Sequence, residues 1–205
     1  GNRLYFKYKF APKTNSFTYD FQSITFDIRS YKSFNITSFA SRVFAGKYFG
    51  NSPYNFKLGG NPWIFSSENR SSIIYSSNGE QYFSEYVFPL RGIPISSLVG
   101  QNVMLLNFEY RLPMLLYYLP TIKWLGQLNG VFFTDIGIAW NDHFPVFNND
   151  SSWEQNSQGW SWTYGFGPRF IFFNMPWKLN YTWEYFPLSG KTQYNGWYLS
   201  VGFDY

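Results

Sequence analysis

The sequence predicts an all-β fold: an antiparallel transmembrane β-barrel to which this chain contributes about eight strands. Three observations carry that prediction: aromatic content, mean hydropathy and two-residue alternation. Of 205 residues, 24 are Phe, 18 Tyr and 9 Trp. A water-soluble domain of this size lacks the core volume to bury so much ring area, so the rings face lipid or another protein. Mean hydropathy is nonetheless −0.29, and no stretch approaches the ~20 apolar residues of a membrane helix. A barrel reconciles the two, because every second residue of its strands faces a polar interior.

Alternation is clearest in the second half. Met104, Leu106, Phe108 and Tyr110 oppose Asn107, Glu109 and Arg111; Phe132, Ile136, Ile138 and Trp140 oppose Asp135, Gly137 and Ala139. Trp160, Trp162, Tyr164 and Phe166 oppose Ser161, Thr163, Gly165 and Gly167, and Trp177, Leu179, Tyr181, Trp183 and Tyr185 oppose Lys178, Asn180, Thr182 and Glu184. Trp197, Leu199, Val201, Phe203 and Tyr205 oppose Tyr198, Ser200, Gly202 and Asp204. Five consecutive period-2 segments read as strands.

In the first half Leu4, Phe6, Tyr8 and Phe10 alternate with Arg3, Tyr5, Lys7 and Lys9. The expected strands are 2–10, 17–29, 34–48, 102–112, 130–140, 160–173, 177–186 and 196–205, within one domain spanning 1–205. A phase slip near Ser23 predicts a bulge; a short turn is expected at Tyr31 to Ser33, and an irregular loop over about 50–100. Short turns are expected to alternate with longer loops such as Asn141 to Gln158.

A soluble sandwich is the competing all-β reading. The polar faces decide against it, since they carry Gly, Ser and paired charges as a crowded interior wall does. Trp177 and Tyr185 bracket a run that spans about 26 Å along a strand. Tilted by ~40°, this is roughly 20 Å of height, close to the ~25 Å apolar band between aromatic girdles.

The charge is +4, from 16 basic and 12 acidic residues. These are scattered rather than clustered, so no nucleic-acid partner is expected. The lack of Cys excludes disulfides and thiolate metal sites. No signal peptide opens the sequence, which is expected to start inside a longer protein.

FPLRGIP (Phe88 to Pro94), GQNVMLLNFEYRLPM (Gly100 to Met114) and GVFFTDIGIAW (Gly130 to Trp140) together resemble the bacterial surface antigen superfamily, which includes the insertase BamA, TamA and the two-partner secretion translocators. GFGPRF (Gly165 to Phe170), KLNYTW (Lys178 to Trp183) and LSVGFDY (Leu199 to Tyr205) follow in the family's order, with FDIRSY (Phe26 to Tyr31) and FKLGG (Phe56 to Gly60) upstream. Within the superfamily the chain looks most like barrels at the C-termini of TolB-like, WD40-type propeller proteins. Ile93 stands where the family prefers an aromatic, and Asn180 where its fifteenth strand often has Asp. The resemblance implies a sixteen-strand barrel with a long inward-folded loop, this chain supplying strands nine to sixteen. It implies the bacterial outer membrane as location and protein insertion or translocation as activity. The implied partners are membrane lipid, the barrel-assembly machinery, and a missing barrel half, periplasmic domain or partner protein.

By alternation Glu109 and Asp135 share the polar side of adjacent strands, and Arg91 lies in the long loop. The resemblance implies that this loop enters the lumen and that Arg91 meets both acids. Arginine suits the task because its rigid fork bonds two carboxylates while staying charged, and Gly92 lets the backbone turn behind it. The other reading is an exposed loop arginine, with the acids neutralised by Arg111 or Arg169. The run Trp197, Leu199, Val201, Phe203 and Tyr205 resembles the signal read by the assembly machinery through strand addition, and reads equally as a plain lipid-facing strand.

No enzymatic turnover, cofactor or metal is expected. His143 is the one histidine; a barrel hydrolase would need it beside a serine such as Ser151 or Ser152. Asp142, Asn148, Asn149, Asp150 and Glu154 offer oxygen ligands without the spacing of a calcium loop. Gly59 and Gly60 precede no helix signal and read as loop geometry. The alternative to a translocation barrel is a small self-contained eight-strand barrel serving adhesion or structure.

Overall fold

The computed structural model describes residues 1–14, 20–50, 55–60, 65–66, 84–113, 128–146 and 158–201. Twelve strands follow one another: β1 (Asn2–Ala11), β2 (Phe21–Phe34), β3 (Thr37–Phe49), β4 (Asn55–Leu58), β5 (Phe65–Ser66), β6 (Ser84–Val87), β7 (Leu98–Gly100), β8 (Asn102–Leu112), β9 (Asn129–Trp140), β10 (Gly159–Phe172), β11 (Met175–Phe186) and β12 (Lys191–Val201). The eight long ones form a continuous antiparallel sheet in the order β1-β2-β3-β8-β9-β10-β11-β12, with β5 added beyond β12. The described residues contain no helix.

The sheet does not close. β12 pairs with β11 and, at Tyr198 and Leu199, with β5, while no described residue pairs with the other edge of β1. This corrects the expectation of a self-contained eight-strand barrel. The reason is volume: a closed barrel of about eight strands has an interior just wide enough for its own side chains. Here a second sheet covers that side.

The second sheet revises the expected irregular loop over 50–100. Within it β6, β4 and β7 form a three-stranded sheet, β6 parallel and β7 antiparallel to β4. Its side chains meet the larger sheet in a core that includes Phe44, Tyr48, Phe56, Leu58, Leu90, Leu98, Val103 and Leu105. Small residues of the large sheet make room for it. A Cβ on Gly46 would lie 2.6 Å from the Phe56 ring, and one on Gly137 would lie 2.3 Å from Leu90 Cδ2. Those glycines are the small members of the alternation, placed where the covering chain presses closest.

Strand boundaries also differ from expectation. β2 ends at Phe34, and the turn falls at Asn35–Ile36 rather than Tyr31 to Ser33. Asn35 takes φ 52°, a left-handed conformation that Asn tolerates better than most residues. The bulge expected near Ser23 is absent, since β2 pairs in unbroken register with β1 and β3. The apparent slip comes from Phe21, an aromatic on the covered face whose ring lies 6.3 Å from that of Tyr48. The expected strand residues 17–19 lie outside the described residues. Phe173 and Asn174, both at positive φ, turn β10 into β11. Loop lengths do not alternate strictly, because the short turn 187–190 sits at the same end of the sheet as the longer connection 141–158.

A bulge does occur in β12, where Tyr181 pairs with Trp197 but Trp183 pairs with Tyr194. Asn195 and Gly196 therefore both stand opposite Thr182, which breaks the alternation and hid the first part of this strand. β12 starts at Lys191 rather than 196; residues 202–205, with Phe203 and Tyr205, lie outside the described residues.

The two faces of the sheet are unlike. The uncovered face carries Leu4, Phe6, Phe10, Ile28, Phe132, Phe166 and Phe172, all strongly exposed. The covered face buries Asp27, Arg42, Asn107, Glu109, Asp135, Thr163, Asn180, Thr182 and Glu184. The covered side thus combines these buried polar groups with the apolar core around Phe56 and Leu90, while the uncovered face is apolar and exposed.

Candidate functional site

The segment that begins with β6 crosses the covered face almost strand by strand. At its start Glu85 meets Lys7 and Lys9 of β1, with the Lys7 contact at 3.6 Å, and accepts from Tyr48 Oη of β3 at 3.1 Å. Phe88 C=O accepts from Arg42 Nη1 of β3, and Pro89 C=O accepts from Asn107 Nδ2 of β8 at 2.8 Å. Leu90 fills the space above Gly137 of β9. Gly92 C=O accepts from Asn195 Nδ2 of β12 at 2.9 Å. The carbonyls of Phe88, Pro89 and Gly92 thus find donors on the large sheet, as buried backbone groups require.

Arg91 lies at the centre of this path and is 1% exposed, while Glu109 and Asp135 are fully buried. Its Nε donates to Asp135 Oδ2 at 2.6 Å, its Nη2 to Asp135 Oδ1 at 2.7 Å, and its Nη1 to Glu109 Oε1 at 2.5 Å. The Arg91 backbone N–H adds a bond of 3.1 Å to Asp135 Oδ2. Arg111 caps the far side of Glu109, with Nη2 to Oε2 at 2.7 Å and Nε at 3.1 Å. Asn107 Nδ2 also donates to Asp135 Oδ1 at 2.8 Å. The Arg91 guanidinium lies 3.8 Å from the centre of the Phe133 ring, a cation–π contact in a water-poor setting. Two guanidinium groups against two carboxylates leave this group of side chains neutral.

The structure therefore brings Arg91, Glu109 and Asp135 together, with Gly92 beside them at φ 92°. A Cβ on Gly92 would stand 3.1 Å from Thr182 Cβ, so glycine serves both the backbone angle and the close approach. Arg111 shares Glu109 with Arg91 rather than replacing it. Arg169 donates through Nη2 to Asn180 Oδ1 at 2.8 Å and through Nη1 to Leu179 C=O at 3.2 Å.

Sequence reasoning missed three contributors. Asn195 sits in the bulge that hid it, and it also donates to Glu184 at 3.3 Å. Asp27 receives Arg29 and Arg42 together, with Nη2 distances of 2.7 and 2.8 Å; the sequence signal was the Asp-x-Arg spacing, which puts both side chains on one face of β2. Glu85 carried no signal, being one acid in an irregular stretch. Burial opposes its ionisation, but the hydrogen bonds and charges of Lys9 and Lys7, with the Tyr48 hydroxyl, outweigh it and hold its pKa below the ordinary glutamate value.

Of the final-strand set, Trp197, Leu199 and Val201 lie in β12, with Trp197 partly exposed on the uncovered face. His143 is exposed, beside Asp142. Ser151 and Ser152, and the candidate calcium ligands Asn148, Asn149, Asp150 and Glu154, lie outside the described residues. Among the described residues no group of three or more acids and histidines is placed to hold a metal. Gly59 and Gly60, both at positive φ, form loop backbone against Pro94 to Ser97.

No protein-family model matches the chain, and no curated protein matches its sequence.

Proposed function

We propose that the chain is the C-terminal half of an outer-membrane barrel of the bacterial surface antigen superfamily. It anchors the protein in the bilayer and contributes a protein-insertion or translocation pore with no enzymatic turnover. The covering segment is its lumen loop, and Arg91 with Glu109 and Asp135 is the latch that seats it.

The observation that carries this reading is the inversion of the two faces. Large apolar and aromatic side chains across one face of the sheet stand exposed, while Asp27, Arg42, Glu109, Asp135, Lys178 and Glu184 are buried on the other face. Leaving such side chains in water forfeits roughly 1.5–3 kcal/mol for each one that could be fully buried. Lipid removes that cost, whereas the polar side needs either water or partners. The edge of β1, which no described residue pairs, supports a larger assembly, because unpaired strand edges are not tolerated in hydrocarbon. A missing barrel half or a partner protein supplies the remaining strands, and the assembly machinery inserts the chain.

Reconstitution into vesicles of brominated phospholipid tests the reading. Tryptophans on the uncovered face, such as Trp162, Trp177 and Trp197, are expected to be quenched. Full fluorescence in properly folded protein would sink it. Planar-bilayer conductance of the complete protein then reports whether the loop plugs the pore.

A further inference from the structure

The edge of β1 that no described residue pairs carries a chemical pattern that describes the strand it would accept. On the covered side β1 presents Arg3, Tyr5, Lys7 and Lys9, and on the other side Leu4, Phe6, Tyr8 and Phe10. Behind it, Arg29 and Arg42 continue the positive charge across β2 and β3. Asp27 is held by Arg29 and Arg42, and Glu85 by Lys7 and Lys9. Arg3 instead lies over the Tyr31 ring at 5.9 Å and stands directly opposite Arg29. The Lys7 side chain is 57% exposed. A half-open cleft of about 370 Å³ borders the same side, lined in part by Tyr5, Lys7, Asp27 and Glu85.

We infer that the strand completing this edge is an antiparallel partner with acidic residues at alternate positions on its covered face and apolar residues on its outer face. Residues directly opposite on neighbouring strands sit about 4.5–5.5 Å apart, close enough for each acid to pair with a basic residue of β1. The outer positions extend the apolar surface without interruption. The inference rests on the barrel reading and adds to it the chemistry of the strand next to β1.

Charge argues against the other occupants. A second copy joined edge to edge through β1 would bring the same cations against one another, which is destabilising. The edge of β12, from this or another copy, offers Asn195, Tyr198 and Ser200 on its buried face, with no acid among these described positions.

The chain has no cysteine, so a single Phe6→Cys substitution gives a unique reporter on this edge. The full chain, folded in detergent micelles, is mixed with ten-residue peptides matched to the length of β1. Each peptide alternates Leu or Phe with Glu, or with Lys in its counterpart, and carries a central cysteine. The Glu peptide is expected to bind about tenfold more tightly than the Lys peptide and, with a mild thiol oxidant added to accept the two electrons, to form the disulfide-linked adduct. Arg3→Glu, which leaves the Glu85 contacts in place, is expected to shrink that preference, and Lys7→Glu to shrink it further. Equal binding of the two peptides overturns the inference. So does a preference unaffected by Arg3→Glu, or linkage of two Phe6→Cys chains to each other in place of the peptide. Bromolipid quenching, read separately, reports on the membrane reading by itself, so the failure of one is distinguishable from the failure of the other.

Discussion

Arg91 meets Asp135 side-on, with Nε and Nη2 each donating to a different carboxylate oxygen at 2.6 and 2.7 Å. The pair is buried, and Glu109 takes the remaining Nη1. Arg91→Ala removes one partner and leaves two buried carboxylates short of cations, a loss of about 3–5 kcal/mol at sites of this kind. The covering segment is expected to become cleavable by protease in folded protein. Arg91→Lys should rescue little, because an ammonium cannot reproduce the fork. Unchanged protease resistance together with unchanged conductance would refute the latch.

Asn195 is the tie between the covering segment and the last strand. Asn195→Ala leaves the Gly92 carbonyl without its donor, at a cost of about 1–3 kcal/mol for a buried group. Chemical denaturation should show a lowered midpoint with an unaltered slope. Gly92→Ala should cost more, since it adds strain at φ 92° to the approach on Thr182.

Glu85 supplies an acid-sensitive tie. Its pKa lies below the ordinary value in the folded protein, because its contacts with Lys9 and Lys7 outweigh burial. A lowered carboxylate pKa contributes stability that is fully present above the unfolded value and is lost as pH falls through the folded one. The contact between β6 and β1 is therefore expected to loosen only in acid below the usual glutamate range. Protection of β6 amides from hydrogen exchange, followed against pH, reads this directly. Glu85→Gln should remove the contribution of this tie at neutral pH and flatten that part of the profile.

Phe166 projects from the uncovered face of β10, stacked on Tyr181 at 5.6 Å and Trp183 at 5.7 Å. If that face meets hydrocarbon, Phe166→Arg should cost roughly 2–4 kcal/mol of folding free energy in bilayers. On a water-exposed surface the same change stays within about 0.5 kcal/mol. Equilibrium folding into vesicles separates the two.

Much of the sheet was legible because its alternation is local. From Met104 to Tyr110 or Trp177 to Tyr185, neighbouring residues alone declare which side each faces, and the described strands follow that phase. Phe21 misled because aromatics serve either face of a strand, and only its packing against Tyr48 shows which. The acids Glu109 and Asp135 were legible as companions because both lie on polar faces of neighbouring strands.

The chain order by itself determined an all-β protein, the phase of most strands and the shared polar side of Glu109 and Asp135, since these follow from residue type and two-residue spacing; Arg91 became a candidate only through the resemblance of its loop. Only the tertiary structure decided that the sheet stays open, that residues 55–60 and 84–100 build a second sheet over it, and that Asn107, Asn195 and Glu85 join the covering segment to the strands. Those outcomes depend on which distant residues share a small buried volume. Gly137 beneath Leu90 and the bulge that turns Asn195 toward Gly92 acquire their meaning from atoms far away in the chain.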